Sequence, residues 1–167
     1  DFYWSDEGGF IDRMIIPLTV NRRLMGYIAR KITDGAPKYI TEHPAHIVFN
    51  LDRQPWERQF VLVFEGSIDA LLLEGVAVLT NEVSPEQDLQ INAVGKKVIV
   101  VPDQDKPGER MAEQAIELGW SISFPNWDND IKDAGDAINR YGRLATMISI
   151  LKNVETSELK SKLRMKL

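Results

Sequence analysis

The sequence predicts an α/β fold, with a four-stranded, mainly parallel sheet, flanking helices and a small β-rich subdomain in front. From residue 60 onward, short apolar runs alternate with helical patterns of about ten residues. The apolar runs are continuous rather than alternating with polar residues, which is typical of parallel strands buried on both faces. The first sixty residues show no such alternation of strands and helices, so we expect a separate β-rich part there.

The four predicted strands of the sheet are separated by helices with recognisable ends. Ser67 and Ser84 are expected N-caps, and Pro85 with Gln87 completes a capping box after Ser84. Gly75 is expected to stop the first helix. The strands are FVLVF at 60–64, VAVLT at 76–80, KVIVV at 97–101 and WSISF at 120–124, and the helices are SIDALLLEG, SPEQDLQINAVG, PGERMAEQAIELG and DAGDAINRYG.

The N-terminal part contains two apolar-rich segments, RMIIPLTV and LMGYIARKI, joined by NRR. This pattern predicts an antiparallel hairpin with Pro17 on an exposed edge, because proline cannot donate to a sheet ladder. We therefore divide the chain into a β-rich subdomain at 1–59, the α/β domain at 60–142 and a helical extension with a basic finish at 143–167.

Composition narrows the class of protein. The chain has 167 residues, a net charge of −5 and no cysteine, which excludes disulfides and thiolate zinc sites. No apolar run approaches the roughly 18 residues needed to span a bilayer, so we expect a cytoplasmic protein with no membrane partner. Because the chain begins at Asp1 rather than Met, we expect it to be a piece of a longer protein.

Charge is distributed unevenly along the chain. Residues 11–40 contain six bases and two acids, whereas residues 61–151 contain fifteen acids and seven bases. The first segment could therefore attract a polyanion, and the second could hold cations. The six bases are Arg13, Arg22, Arg23, Arg30, Lys31 and Lys38.

Acidic residues follow the predicted parallel strands, where ligands of such sheets bind. Glu65 ends the first strand, Asn81 and Glu82 follow the second, and Asp103 and Asp105 follow the third. The segment DNDIKDAGD follows the fourth strand. Converging carboxylates need a divalent ion or strongly raised pKa values, and a donor set made of oxygen selects Mg²⁺ or Mn²⁺.

The residues alone allow other interpretations of these acids, two of which fit the sequence less well. Each aspartate could be a turn or N-cap residue, and Asp133 suits the N-cap of the helix that follows it. A calcium loop counted from Asp103 would need Glu where Gln114 stands, and a D-x-D phosphatase would need Thr where Pro107 stands. Glu65 and Asp69 could also form a retaining-glycosidase pair.

Two smaller features receive structural interpretations. His43 and His46 have the spacing of metal ligands, but without nearby cysteines we expect them to lie in a loop. The four tryptophans could stack on bases, although we expect core or partly buried packing. They are Trp4, Trp56, Trp120 and Trp127.

Three segments together resemble the motifs of a Toprim domain. VLVFEGSIDALLLEGV contains E-G-x-x-D, VIVVPDQDKPGERMAEQA contains D-x-D, and IKDAGDAI contains K-D-x-x-D. The preceding DRMIIPLTVNRRLMGYIARKI, PKYI and IVFNLD resemble the stretch before Toprim in bacterial and phage DnaG-type primases. The resemblance covers roughly residues 11–142, and KDAGDAI is similar to the form in phage primases.

This resemblance implies a Toprim-like, Rossmann-like fold and metal-dependent nucleotidyl transfer that makes RNA primers. It implies Glu65, Asp103 and Asp105 as catalytic residues. It also implies Mg²⁺ or Mn²⁺ ligands at Glu65, Asp69, Asp103, Asp105, Asp133 and Asp136. The six bases named above would contact template or nucleotide phosphates. Among them, Arg30 and Lys38 fall in the matching motifs.

The implied partners are a single-stranded DNA template, NTPs and a replicative helicase, in the host cytoplasm if the chain is phage-encoded. The Cys-rich zinc module and the upstream part of primases are missing from this sequence, and so is the Walker A motif of a fused helicase. The fragment alone could therefore be inactive. Two alternatives are a Toprim nuclease using the same carboxylates and a non-catalytic replisome or nucleic-acid-binding module.

Overall fold

The computed structural model describes residues 2–80 and 82–165. Asn81 and Lys166, expected beside the second strand and on the basic C-terminal face, lie outside the described residues. The chain forms two compact units, Asp1–Ile47 and Val48–Leu167. In its described part, no helix has the length and apolar character to cross a membrane.

The boundary between the units falls after Ile47, earlier than the predicted one after residue 59. Residues 48–59 pack with the second unit, because Phe49 pairs with Ala77. The side-chain amide of Asn50 also donates to the Gly75 carbonyl at 2.8 Å. Residues 143–167, predicted as a helical extension, lie within the second unit.

The first unit is an antiparallel sheet with strand order β1-β2-β3-β4. The predicted hairpin is confirmed, and Asn21 and Arg22 form its turn with φ of 50° and 64°, the conformation that two-residue hairpin turns require. β2 lies between β1 and β3, and not at the edge of the sheet. The pairing of β1 with β2 ends at Ile15, however, so β1 does not pair with Pro17. The strands are Tyr3–Ser5, Arg13–Val20, Arg23–Lys31 and Tyr39–Glu42.

Arg13 has a structural role instead of the predicted phosphate contact. Its side chain is buried, and its guanidinium donates hydrogen bonds to four backbone carbonyls. The shortest, at 2.7 Å, reaches Pro37. Because these carbonyls occupy its donors inside the unit, we assign Arg13 a structural role rather than a phosphate contact. The carbonyls belong to Gly9, Ala29, Pro37 and Lys38.

We expect Arg13→Lys to lower the free energy of unfolding by about 2–4 kcal/mol, because one ammonium cannot serve four carbonyls spread over the guanidinium. Urea unfolding followed by circular dichroism measures this. Arg23→Lys makes the same change at an exposed position of the same sheet, and it should leave the urea concentration at the unfolding midpoint unchanged. Equal midpoints for both variants would contradict the structural role of Arg13.

The second unit contains the predicted α/β sheet, with strand order β6-β5-β7-β8-β9. The first four strands are parallel, and β9 adds a fifth, antiparallel edge strand that the sequence did not predict. The strands are β5 Phe60–Phe64, β6 Val76–Ala77, β7 Lys97–Val100, β8 Ser121–Ser123 and β9 Val154–Glu155. The helices are α1 Ser67–Leu73, α2 Pro85–Asn92, α3 Lys106–Glu117, α4 Ala134–Tyr141, α5 Arg143–Lys152 and α6 Glu158–Arg164.

Helix ends place the acidic residues at the edge of this sheet. The predicted capping box at Ser84 and Gln87 is confirmed. Ser67 is the first residue of α1 rather than its N-cap, because Gly66 takes that position and lies close to the Asp69 carboxylate. Asp105 and Asp133 are side-chain N-caps of α3 and α4, as predicted for Asp133. The caps fix where these carboxylates lie.

The tryptophans divide into two pairs. Trp120 and Trp127 are buried, as predicted. Trp4 and Trp56 are 55% and 83% exposed, so the expectation of core packing is wrong for them. His43 and His46 lie in the segment after β4, as the prediction of a loop requires.

Candidate metal and phosphate site

The candidate site lies beyond the carboxyl ends of the central strands of the second unit. Glu65 directly follows β5, and Asp103 and Asp105 follow β7. β5 and β7 are neighbours in the sheet, while the chain visits edge strand β6 between them. This reversal of strand order is where open α/β sheets form a crevice for ligands.

Glu65 and Asp103 are partly buried carboxylates whose ionised forms are disfavoured by burial and by neighbouring carboxylates. Burial raises the pKa of Asp103 to about 7, and the nearby charges of Glu65, Asp69 and Asp133 add to the rise. Burial also raises the pKa of Glu65, although the backbone amide of Asp103 opposes this. One oxygen of Glu65, Oε1, is buried without a hydrogen-bond partner among the described residues. These two groups therefore favour a bound proton or cation.

Asp105 is in a different electrostatic environment although it stands only two residues from Asp103. Burial tends to raise its pKa, but the Gly108 N–H at 3.0 Å and the Lys132 ammonium at 3.0 Å lower it overall. Lys132 in turn has a raised pKa, chiefly through its hydrogen bond to Asp105. Asp105 is thus held ionised, while Asp103 is not.

Asp69, Asp133 and Asp136 each accept a hydrogen bond from the backbone near the start of α4. Asp69 is buried and accepts from the Gly135 N–H at 2.8 Å. Asp133 accepts from the Asp136 N–H at 2.8 Å, and Asp136 accepts from the Lys132 N–H at 3.2 Å. Asp69 and Asp133 also act on the pKa of Asp103, whereas the described contact of Asp136 is with Lys132.

Gly108 allows the D-x-D segment to approach α3. A Cβ atom at this position would lie 1.9 Å from the carbonyl oxygen of Asp103, which no side chain could tolerate. The backbone of the neighbouring loop is joined to the same segment, because the Gln104 N–H donates to the Lys132 carbonyl at 2.7 Å. The two acidic segments are therefore held together by backbone contacts.

The donor set fits a hard divalent cation. It consists of carboxylate oxygens, one of them a buried oxygen without a partner, and it includes no sulfur. Within residues 2–80 and 82–165, no three such side chains lie close enough together to be recognised as a ready-made metal cluster. Binding a cation would thus require the carboxylates to draw together, and the positive charge of the cation would offset the repulsion among them.

The remaining predicted bases belong to the first unit. Arg30 and Lys38 lie 5.9 Å and 5.8 Å from the centroid of the Tyr39 ring. Arg22 lies in the hairpin turn, and Arg23 opens β3. Lys31 is on the opposite face of β3 from Arg30, because neighbouring residues of a strand point to opposite faces. The structure groups Arg30 with Lys38 and leaves the other bases apart from this pair.

Neither a protein-family model nor a curated protein sequence matches the chain. Solved structures do match. The E. coli primase catalytic core matches with a TM-score of 0.72 at 19% identity, over 99% of this chain and 62% of that one. A DnaG primase catalytic domain bound to ssDNA matches with a TM-score of 0.71 at 18% identity, over 99% of this chain and 60% of the other.

The primase fragment of the bacteriophage T7 primase-helicase protein matches with a TM-score of 0.61 at 15% identity. That match covers 83% of this chain and 62% of the T7 fragment. The chain has the fold of a DnaG primase catalytic core. It spans about three fifths of the length of these three neighbours.

Lys132 also lies in the candidate site, although the sequence alone gave it no role. It stands beside Asp133 in the K-D-x-x-D motif, so its position in the motif was the available signal. Its partner Asp105 is 27 residues earlier, and only the fold brings the two together at 3.0 Å. The ammonium partly offsets the negative charge of the carboxylates around Asp103.

Proposed function

We propose that the chain carries the metal-dependent nucleotidyl-transfer site of a DNA primase, which makes RNA primers on single-stranded DNA. The observation that supports this most is the group of mutually repelling carboxylates beyond β5 and β7, on the fold of a DnaG primase catalytic core. The proposed location is the cytoplasm, of the host if the chain is phage-encoded.

In this proposal, Glu65, Asp103 and Asp105 hold Mg²⁺ or Mn²⁺, with Asp69 and Asp133 as further ligands and Asp136 orienting the Lys132 segment. When bound, the divalent cations would neutralise charge on the phosphates and lower the pKa of an attacking hydroxyl. Glu65, whose Oε1 has no described partner and whose pKa is raised, is suited to accept the proton of the attacking 3′-hydroxyl.

The bases have the complementary task of binding phosphates. Lys132 lies at the acidic edge, where its ammonium can hold a phosphate of the incoming NTP. In the first unit, Arg22, Arg23, Arg30, Lys31 and Lys38 are proposed to contact template or nucleotide phosphates. The likeness to a primase domain bound to ssDNA and to the T7 primase-helicase fragment supports a single-stranded template and a replicative helicase as partners.

The test is extension of a short RNA primer annealed to single-stranded DNA, with Mn²⁺ and labelled NTPs. We expect NTP-dependent lengthening of the primer, and we expect Asp103→Asn to reduce it by at least about 100-fold, since that change removes a metal ligand. Metal-dependent NTP binding, followed by calorimetry, is a second measurement that does not depend on primer extension.

The alternatives give different results in the same assay. A Toprim nuclease would shorten the DNA and make no NTP-dependent product. A non-catalytic binding module would bind single-stranded DNA but would show neither primer extension nor metal-dependent NTP binding. Either result would refute the proposed primase function.

A further inference from the structure

The loop before α4 carries Lys132 and folds back along that helix. It runs from Phe124, after β8, to Asp133, the N-cap of α4. Near the start of the helix, the Lys132 N–H donates to the Asp136 carboxylate at 3.2 Å. At the other end of the helix, the side chain of Tyr141 contacts the loop again. α4 therefore holds the loop at two separate points.

Two consecutive residues at the end of α4 hold the middle of this loop. The Tyr141 hydroxyl donates to the Asp128 carboxylate at 2.7 Å and accepts from the Asp128 N–H at 3.2 Å. The Arg140 guanidinium donates to the Asp130 carboxylate at 2.6 Å and lies 3.8 Å from the carboxylate of Asp128. We call these contacts the Arg140–Tyr141 clamp. They fix both the backbone and the side chain of Asp128.

The backbone between the clamp and Lys132 is restrained as well. The Ile131 N–H donates to the Asp128 carbonyl at 2.9 Å, and the Ile131 side chain is buried. The Lys132 carbonyl accepts from the Gln104 N–H at 2.7 Å, next to the acidic residues that follow β7. A displacement of Asp128 would therefore be passed along a short, hydrogen-bonded segment to Lys132.

The clamp lies on the surface and acts on the loop alone. The side chain of Arg140 is 50% exposed, and those of Asp128 and Asp130 are each 63% exposed. Ion pairs in such positions contribute little to the stability of a whole domain. Within the described part of the chain, no hydrogen bond or ion pair joins the clamp to Glu65 or Asp103. The clamp thus restrains the loop that delivers Lys132, without contacting these proposed metal ligands.

We propose that Arg140 and Tyr141 are positioning residues for nucleotide binding, because their hold on the loop keeps the Lys132 ammonium where a phosphate of the incoming NTP binds. The inference rests on the proposed function for the identity of this ligand. The lysine side chain is long and flexible, so the position of its ammonium depends on a fixed backbone. A binding group that is held in place before the ligand arrives loses less entropy on binding.

The first test measures the dissociation constant of an NTP by calorimetry in the presence of Mn²⁺. Arg140→Gln/Tyr141→Phe removes the clamp, and we expect it to weaken NTP binding about 3- to 10-fold, a modest loss because the contacts are exposed. In a Lys132→Gln background, the same double change should alter the dissociation constant by less than about 1.5-fold, because the clamp acts through Lys132. Arg143→Gln is the matched control. It removes a similarly exposed arginine, which pairs with Glu74 at 3.1 Å, and it should bind NTP like wild type.

The second test needs neither nucleotide nor metal. Amide hydrogen exchange, followed by NMR in EDTA, reports on the N–H groups of Gln104 and Lys132, which hold the loop at the acidic edge. We expect both to exchange about 3- to 10-fold faster in Arg140→Gln/Tyr141→Phe, because the loop opens more often. The Val101 N–H, which donates to Val63 within the sheet at 2.9 Å, should exchange at an unchanged rate.

Two results would overturn the proposal. One is equal weakening of NTP binding in the wild-type and Lys132→Gln backgrounds, since the clamp would then act by another route. The other is unchanged exchange at Gln104 and Lys132. A wild-type chain that does not bind NTP would refute the proposed function, whereas faster exchange in the clamp variant would still show that the clamp holds Lys132.

Discussion

The double variant Asp103→Asn/Asp105→Asn is expected to lose the rise in melting temperature that Mg²⁺ or Mn²⁺ gives the wild-type chain. A ligand that binds only the native state stabilises it by about 2.7 kcal/mol at one hundred times its dissociation constant. For a protein of this size, that corresponds to a shift of about 5–10 °C. Asparagine keeps the size of each side chain but removes the charges that would hold the cation.

The asparagine substitutions also preserve the local fold. Asp105 caps α3 by accepting from the Gly108 N–H, and the side-chain oxygen of asparagine can accept the same hydrogen bond. Any loss of the metal-dependent shift therefore reports on metal binding rather than on a lost cap. The melting temperature is measured by differential scanning fluorimetry with and without excess EDTA.

The chain offers a matched control in Asp128→Asn/Asp130→Asn. These two acids have the same spacing, follow the next strand of the sheet and give the same change in formal net charge. Their carboxylates pair with Arg140 instead of approaching Glu65. The control should keep the full metal-dependent shift, and equal shifts in all three proteins would refute the assignment of Asp103 and Asp105 as ligands.

Local sequence patterns were sufficient for the sheet and for several helix ends. Continuous apolar runs such as FVLVF predict strands buried on both faces, and Val61, Leu62 and Val63 are indeed fully buried. The capping box at Ser84 and Gln87 depends on residues three apart, so the sequence contains all of it. The acidic residues could be placed at one edge because parallel strands share their direction.

The remaining features depend on contacts between residues far apart in the chain. Arg13 is buried only because carbonyls from residues up to 25 positions away converge on it, and a charged residue at a strand start otherwise predicts exposure. Asp103 and Asp105 differ because burial and neighbouring carboxylates raise the pKa of Asp103, whereas the Gly108 N–H and Lys132, from the loop after β8, lower that of Asp105. The exposure of Trp4 depends on the face of the sheet to which its side chain points, and the pairing of β1 with β2 sets that face. No local pattern contains these facts.

In EDTA, Asp103→Asn is expected to gain stability relative to wild type as the pH rises from 5 to 8. The pKa of Asp103 is about 7 in the folded chain, above its ordinary value of 3.8. The folded state therefore binds this proton more tightly than the unfolded state does. The resulting stabilisation is complete below about pH 4 and is lost as the pH rises through about 7. Asparagine does not titrate, so the variant escapes this loss.

Asp105→Asn provides the opposite case in the same segment. The pKa of Asp105 is lowered in the folded chain, so its ionised form stabilises the protein above its ordinary pKa near 3.8. Between pH 5 and 8 that contribution is constant, and Asp105→Asn should lie below wild type by a nearly fixed amount. Melting temperatures of wild type, Asp103→Asn and Asp105→Asn, measured across this pH range, check both expectations. Each kcal/mol of stability should shift the melting temperature by about 2–4 °C. Parallel curves for wild type and Asp103→Asn would mean that the pKa of Asp103 in the folded protein is near its ordinary value. The repulsion that favours a cation at this edge would then be much weaker.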